Sequence, residues 1–141
     1  MAETRNWLVD HTGVGVSDIY RSALFYRAAL GALGIRPAAC ISRSFEPCAM
    51  DDPALGGVGF GVDYPVFWID VFHPSGVRQH TALRATSRAQ GDAFHREGLD
   101  AGGVDNGSPG LRTTGYPPGY YAAFLLDPDG NNIEAVYREH G

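Results

Sequence analysis

Two histidines and one glutamate are the residues of this chain whose types and surroundings suit metal chemistry. His11 and His80 each precede a threonine at the start of a short alternating run, and Glu134 lies among apolar residues in a third run. A carboxylate in such a strand seldom lies buried without a cation or a hydrogen-bond partner. Two imidazoles and one carboxylate form a facial ligand set that suits divalent Fe, Mn, Zn or Ni and leaves coordination positions open for substrate. We therefore predict one divalent metal bound by these three side chains.

Each of the three residues also has an ordinary structural interpretation. A lone histidine is more often a hydrogen-bonded structural residue than a ligand, and a glutamate on an edge strand often faces water. The surroundings of the histidines favour the metal hypothesis, because side chains alternate between the two faces of a strand. His11 shares its face with Gly13 and Gly15, and His80 shares its face with Ala82 and Arg84. Both histidines therefore lie on sparsely filled surfaces, which suit ligand binding better than core packing.

The chain contains an internal repeat. Sliding the sequence against itself by 69 positions aligns residues 11–35 with residues 80–104 and gives seven identities in 25 positions, where chance gives roughly one or two. The identical pairs are His11/His80, Thr12/Thr81, Phe25/Phe94, Arg27/Arg96, Leu30/Leu99, Ala32/Ala101 and Gly34/Gly103. Two unrelated helices explain the Ala and Leu identities but not the shared His-Thr pair. We therefore predict one domain of two repeated modules, residues 1–74 and 77–141, joined at a Pro-Ser-Gly turn cluster.

Each copy is predicted to begin with a strand followed by a helix. Apolar residues at spacings of three and four predict one buried stripe on the first helix: Ile19, Ala23, Tyr26, Leu30 and Leu33. Ser17 is the predicted N-cap of the first helix, and Ser87 with Gln90 forms a predicted capping box for the second. Gly34 and the glycine pair at 102–103 are predicted to end the two helices.

Three strand-like segments follow each helix. The predicted segments are 38–45, 57–62 and 65–72 in the first copy, and 110–114, 120–126 and 132–137 in the second. The fold class is therefore α+β, with two βαβββ modules. The Asp-Pro-Asp-Gly run at 127–130 predicts a type I turn that closes the last hairpin. A bulge at Gly130 puts Tyr120 on the face of Glu134, whereas an unbulged hairpin puts Tyr121 there.

Composition restricts the classes of partner. A formal net charge of -5 and a pI near 5.4 leave no basic surface of the kind that nucleic acid or an anionic membrane requires. No apolar run approaches the length of a membrane span, and the first ten residues lack a signal-peptide pattern, so we expect a cytoplasmic protein that acts on a small molecule. Cys40 and Cys48 are the only cysteines and are predicted to be free thiols without a role.

The motifs together resemble those of the vicinal-oxygen-chelate superfamily, the glyoxalase, bleomycin-resistance and extradiol-dioxygenase group, over nearly the whole chain. The resemblance rests on the His11 strand with its Ser17-Asp18 helix start, on the His80 strand, and most specifically on the run at 120–134. It implies paired βαβββ modules whose mixed sheet curls around a metal. It also implies ligands from the first strand of each module and from the final strand, which are His11, His80 and Glu134 here. Members often form homodimers, sometimes with modules exchanged between chains.

The differences between this chain and the family patterns reduce the number of activities that we expect for it. Glyoxalase I enzymes carry a fourth ligand near the position of Trp68, where only Asp70 could substitute, so lactoylglutathione lyase activity is disfavoured. Extradiol dioxygenases and fosfomycin-resistance transferases have a tyrosine where this chain has Phe124, and the second-module histidine of the dioxygenases is missing. Bleomycin-type binding proteins lack the metal ligands. A metal-dependent enzyme is therefore expected, with lyase, isomerase and dioxygenase chemistry open, and a metal-free small-molecule or drug-binding protein is the alternative.

Several aromatic and charged residues complete the predicted site. Tyr120 and Tyr121 are the candidates for a catalytic role beside Glu134. The residues assigned to substrate binding are Trp68, Arg112, Tyr116 and Phe124. The remaining histidines are predicted to be surface residues without a role, and they are His73, His95 and His140.

Overall fold

The protein, described here by a computed structural model that covers residues 9–139, contains eight strands and two helices in that range. His140, predicted to be a surface residue, lies outside the described residues. In chain order the elements are β1 (Thr12–Gly15), α1 (Ile19–Gly31), β2 (Arg36–Ser42), β3 (Leu55–Gly61), β4 (Pro65–Asp70), β5 (His80–Arg84), α2 (Arg88–Asp100), β6 (Val104–Arg112), β7 (Tyr120–Leu126) and β8 (Asn132–Arg138). Within residues 9–139, neither helix is long and apolar enough to cross a membrane.

Each half of the chain forms its own four-stranded sheet, and the two sheets have the same topology. The strand orders are β1-β4-β3-β2 and β5-β8-β7-β6. In each sheet the first strand pairs in parallel with the last, and the other neighbours are antiparallel. The predicted α+β fold of two βαβββ modules is therefore confirmed. The registers are also equivalent, because Gly13 pairs with Trp68 in the first sheet and Ala82 pairs with Glu134 in the second.

The first helix starts one residue later than predicted. Asp18, not Ser17, is the N-cap: its backbone is extended and its carboxylate accepts a hydrogen bond from the Arg21 N–H at 3.2 Å. The Ser17 N–H instead donates to both carboxylate oxygens of Asp129, each at 3.2 Å. At α2 the predicted cap is present, since Ser87 Oγ accepts from the N–H of Gln90 at 3.1 Å.

One apolar core serves both modules. The predicted stripe on α1 is fully buried, and the core also takes residues from α2 and from one face of each sheet. The two helices contact each other, and Gly98 of α2 allows a close approach, since a Cβ there would lie 2.2 Å from Leu125 of β7 and 3.3 Å from Ala29 of α1. Each sheet therefore covers the shared core with one face, and the other face of each sheet carries residues outside that core.

Two further predictions of local structure were wrong. The second strand of the second module begins at Val104, not at residue 110, because register shifts around Gly107 let the strand continue past irregular residues. His95, predicted to be a surface residue, is only 8% exposed and its Nε2 lies 2.8 Å from an Asp105 carboxylate oxygen. The side chain of His73 is exposed, as predicted.

A buried carboxylate joins the two modules. Asp127, at the start of the turn between β7 and β8, is 3% exposed and accepts the hydroxyl of Tyr26 on α1 at 2.6 Å. Its other hydrogen bonds come from the backbone N–H groups of Asp129 and Asn131 and from the Asn131 side chain, at 2.8–2.9 Å. Burial, and then the nearby Asp127 charge, raise the pKa of Tyr26 well above its usual value. The first helix is thereby fixed against the last hairpin by a hydrogen bond to a charged group.

Replacing Tyr26 with phenylalanine should lower the free energy of unfolding by about 1.5–3 kcal/mol, because the buried Asp127 carboxylate loses one charged hydrogen bond. Urea denaturation followed by circular dichroism measures the change. Tyr116→Phe is the matched control, since it removes a hydroxyl from a side chain that is 41% exposed. Equal stability of Tyr26→Phe and wild type would contradict the assigned role of this hydrogen bond.

Candidate metal and substrate site

The structure brings together two of the three predicted ligands. His80 on β5 and Glu134 on β8 lie on the same face of the second sheet, because the parallel register pairs Glu134 with Ala82. Nε2 of His80 is 3.3 Å from Oε1 of Glu134. The Glu134 side chain is 3% exposed, whereas that of His80 is 50% exposed. A ligand reaching this face therefore meets the imidazole directly and the carboxylate behind it.

A backbone carbonyl fixes the orientation of the His80 ring. Nδ1 of His80 is 3.1 Å from the carbonyl oxygen of Asn132, and because a carbonyl only accepts, Nδ1 carries the hydrogen. In the neutral imidazole, Nε2 then presents a lone pair toward Oε1 of Glu134. Two acceptors face each other, so the pair needs a cation between them, either a proton on Nε2 or a metal ion.

The spacing of the two atoms suits metal coordination. Ligand bonds of about 2.0–2.2 Å at angles of about 90° to 109° put two ligand atoms about 2.8–3.6 Å apart. The observed 3.3 Å falls within this range and is longer than a typical charge-assisted N–H···O bond of about 2.7–2.9 Å. His80 and Glu134 therefore fit two neighbouring positions of one coordination sphere.

The remaining predicted ligand lies apart from this pair. Within residues 9–139 of one chain, no three His, Cys, Asp or Glu side chains come close enough together to bind a single metal ion. His11 is exposed at the start of the first module, where its Nδ1 lies 2.7 Å from Oδ1 of Asp10. A single chain therefore supplies two of the three predicted ligands at one point.

Tyr120, not Tyr121, is the tyrosine that belongs to this site. The Tyr120 hydroxyl donates a short hydrogen bond to Oε2 of Glu134, and burial, together with the Glu134 carboxylate, raises the pKa of Tyr120 to about 12. Tyr121 lies on the opposite face, and its hydroxyl donates to Asp92 of α2. Tyr120 is therefore a protonated hydroxyl at neutral pH, in contact with the carboxylate that we assign as a ligand.

Three of the predicted substrate-binding residues line the same face. Phe124 pairs directly opposite Glu134, and the Arg112 guanidinium lies 5.3 Å above the Phe124 ring. The rings of Tyr116 and Tyr120 are 4.8 Å apart. Arg138 lies 4.9 Å above the Tyr120 ring and was missed by the sequence analysis. Its place four residues after Glu134, on the same face of β8, was the signal that could have identified it.

Trp68 lies on the other sheet and lines a separate cleft. The cleft has a volume of about 660 Å³ and is shared by Trp68, His11, Phe45, Phe72 and His73 among others. The Trp68 indole lies against Gly59, where an added Cβ would come within 2.7 Å of the indole. The register places Trp68 at the first-module position that Glu134 occupies in the second. The first module therefore presents an aromatic surface where the second presents a carboxylate.

Asp70, the alternative fourth ligand, is held in other contacts. The residue is 8% exposed, and its carboxylate accepts hydrogen bonds from the backbone N–H groups of Phe72 and His73 at 2.9 and 3.0 Å. Nδ1 of His73 lies 3.0 Å from both carboxylate oxygens. Asp70 therefore stabilises the start of the connection between the modules.

Comparisons with known proteins agree with this fold. No family model and no curated protein sequence matches the chain. Among solved structures, a glyoxalase/bleomycin resistance protein from Albidiferax ferrireducens is 29% identical over 93% of this chain and 98% of its own, with a TM-score of 0.69.

Two further structures resemble the chain in fold alone. A lactoylglutathione lyase from Agrobacterium tumefaciens is 15% identical over 93% of each chain, with a TM-score of 0.62. A glyoxalase/bleomycin resistance protein/dioxygenase family enzyme from Burkholderia phytofirmans is 15% identical over 92% of this chain and 97% of its own, with a TM-score of 0.60. With its two βαβββ modules, the chain has the glyoxalase/bleomycin resistance/dioxygenase fold, which confirms its resemblance to the vicinal-oxygen-chelate superfamily.

Proposed function

We propose that the protein is a divalent-metal-dependent enzyme that binds a small substrate through two neighbouring oxygen atoms. The observation that supports this proposal is the His80–Glu134 pair, in which Nε2 and Oε1 face each other at 3.3 Å while Asn132 holds the other imidazole nitrogen. A carboxylate this deeply buried in an apolar strand needs a cation or hydrogen-bond partners, and a metal ion between Oε1 and Nε2 would supply the cation.

His80, Glu134 and His11 are the ligands in this proposal, and Fe, Mn, Zn or Ni suits the donor set. When bound, the metal supplies Lewis-acid chemistry that stabilises negative charge on substrate oxygens. Asn132 contributes by fixing the His80 tautomer, which keeps Nε2 free for coordination. Because Glu134 is buried and the His80 imidazole is half exposed, a substrate reaches the pair from the side of the imidazole.

Tyr120 is the residue of this site that is suited to hold a proton. Its hydroxyl donates to Oε2 of Glu134, and its pKa of about 12 keeps the proton on the phenol oxygen at neutral pH. A hydroxyl at this place offers a hydrogen bond to an oxygen that becomes negative on a bound substrate. This arrangement favours the proton-transfer reactions of lyases and isomerases over dioxygenation. Of Tyr120 and Tyr121, the two candidates for a catalytic role beside Glu134, we therefore assign Tyr120.

We further propose a homodimer in which His11 of the partner subunit supplies the third ligand. Two observations support this: the described part of one chain holds no three-residue metal group, and the exposed His11 lines two clefts, one of which also takes Ala82 and Arg84 of β5. A site completed by a second copy explains why His11 and His80 are equivalent in the repeat but lie apart in one chain.

The two free cysteines suit a reducing compartment, so we place the protein in the cytoplasm.

A metal-free binding protein is the second candidate function. The cleft of about 660 Å³ around Trp68 supports it, because this cleft is lined mainly by aromatic and apolar side chains and holds the stacked rings of Phe45 and Phe72, 4.6 Å apart. Such a surface suits a flat molecule without a metal. Ligand binding that quenches Trp68 fluorescence, persists in EDTA and is lost in Trp68→Ala would support this candidate.

Protein purified without chelator should contain one tightly bound divalent metal per chain, and His80→Ala and Glu134→Gln should each lose it. Each substitution removes one of the proposed metal ligands, which typically lowers the affinity for the metal by orders of magnitude. Elemental analysis after gel filtration gives the metal-to-protein ratio. His73→Ala is the control, because it removes an exposed histidine paired with Asp70 on the other module. Equal occupancy in wild type and His80→Ala would defeat the proposed ligand set.

Mixing two metal-free variants tests whether the site is shared between subunits. A dimer of one His11→Ala chain and one Glu134→Gln chain keeps one complete site if each site takes His11 from the partner subunit, and none if both ligands come from the same chain. Differently tagged chains, purified as the mixed dimer, should therefore bind about half the metal of wild type. A mixed dimer without metal, or a monomeric wild type in analytical ultracentrifugation, would contradict the shared site.

A further inference from the structure

The open face of the second sheet, the face that carries Glu134, has a charge opposite to that of the whole chain. The chain has a formal net charge of -5. The strand registers nevertheless place Arg84, Arg112 and Arg138 on this face together with Glu134. The face is therefore positive, and an anion approaching it is attracted while the rest of the surface repels it.

Arg112 is the arginine that is fixed in place near the site. Its guanidinium donates to the backbone carbonyls of Gly110 and Ser108, each at 2.9 Å. It lies 5.3 Å above the ring of Phe124, the residue opposite Glu134. The side chain is partly buried by these contacts. A guanidinium held in this way loses little conformational entropy when it binds a ligand.

No carboxylate in the described part of the chain neutralises Arg112. Among residues 9–139, the one arginine–carboxylate ion pair is that of Arg88 with Glu139, so Arg112 and Arg138 have no acidic partner within 4.0 Å. The hydrogen bonds of Arg112 go to neutral carbonyls and leave its positive charge uncompensated. A partly buried charge of this kind is stabilised when an anion binds beside it.

We propose that Arg112 binds an oxyanion group of the substrate, a carboxylate or a phosphoryl group, and that the substrate of this site is therefore a small anion. Arg138, 4.9 Å above the Tyr120 ring, adds positive charge at the end of the same face. The identification of the ligand as the substrate rests on the proposed function, because the same molecule would also contact His80 and Glu134. The anion subsite itself depends only on Arg112 and its surroundings.

The test uses non-chelating probes and metal-free protein. Full-length protein in EDTA is titrated with benzoate, with its neutral counterpart benzamide and with phenylphosphonate, and binding is followed by chemical shift changes in NMR spectra. Wild type should bind benzoate or phenylphosphonate at least fivefold more tightly than benzamide, and the preferred anion identifies the group. Arg112→Gln should abolish the preference. Arg96→Gln, which removes the same charge from an exposed position on α2, should retain it.

A second measurement covers the case in which Arg112→Gln does not fold. Binding of the anions to wild type should weaken several-fold between 20 mM and 500 mM NaCl, whereas benzamide binding should not change. Equal affinity of wild type for the anions and for benzamide would overturn the proposal, as would an equal loss in Arg112→Gln and Arg96→Gln. Because these titrations contain no metal, a failure of the metal proposal leaves their result intact, and a failed anion preference leaves the metal-to-protein ratio unaffected.

Discussion

The buried carboxylate of Glu134 is the constraint on which the rest of the site depends. Its side chain is 3% exposed in a strand whose neighbours are apolar. An uncompensated charge in such a place costs several kcal/mol, so the structure must provide partners for it. Tyr120 approaches one carboxylate oxygen and His80 the other. The polar character of this face follows from that requirement, because both partners extend from strands on either side of β8.

The parts of the fold and site that follow from local rules were predicted from the sequence. The repeat located the equivalent strand–helix units, and period-two alternation put His80 and Glu134 on strands that the observed register joins. The buried stripe on α1 followed from helical spacing. These predictions succeeded because each depends on a few consecutive residues and on pairing between the first and last strands of one module.

The parts that failed or stayed open depend on interactions between distant residues. Whether Tyr120 or Tyr121 shares a face with Glu134 depends on whether the turn near residues 127–130 leaves an even or an odd number of residues unpaired. Amino-acid composition does not determine that number. The burial of His95 depends on a carboxylate supplied by the following strand. How His11 is placed relative to Glu134 depends on how the modules pack, and contacts such as the hydrogen bond from Tyr26 to the second module determine that packing. No local pattern encodes such contacts.

The close approach of the Trp68 indole to Gly59 has a consequence for which residues the sheet tolerates there. A side chain at residue 59 would occupy the space of the indole, and one at Gly13 would come within 2.8 Å of the Trp68 carbonyl oxygen. The Cβ of Pro65 would lie closer still, 2.6 Å from a Cβ added at residue 59. Residue 59 is therefore restricted by two neighbours, and a smaller residue at 68 alone would not make room for a side chain there. The surface beside Trp68 keeps its shape unless both neighbours change.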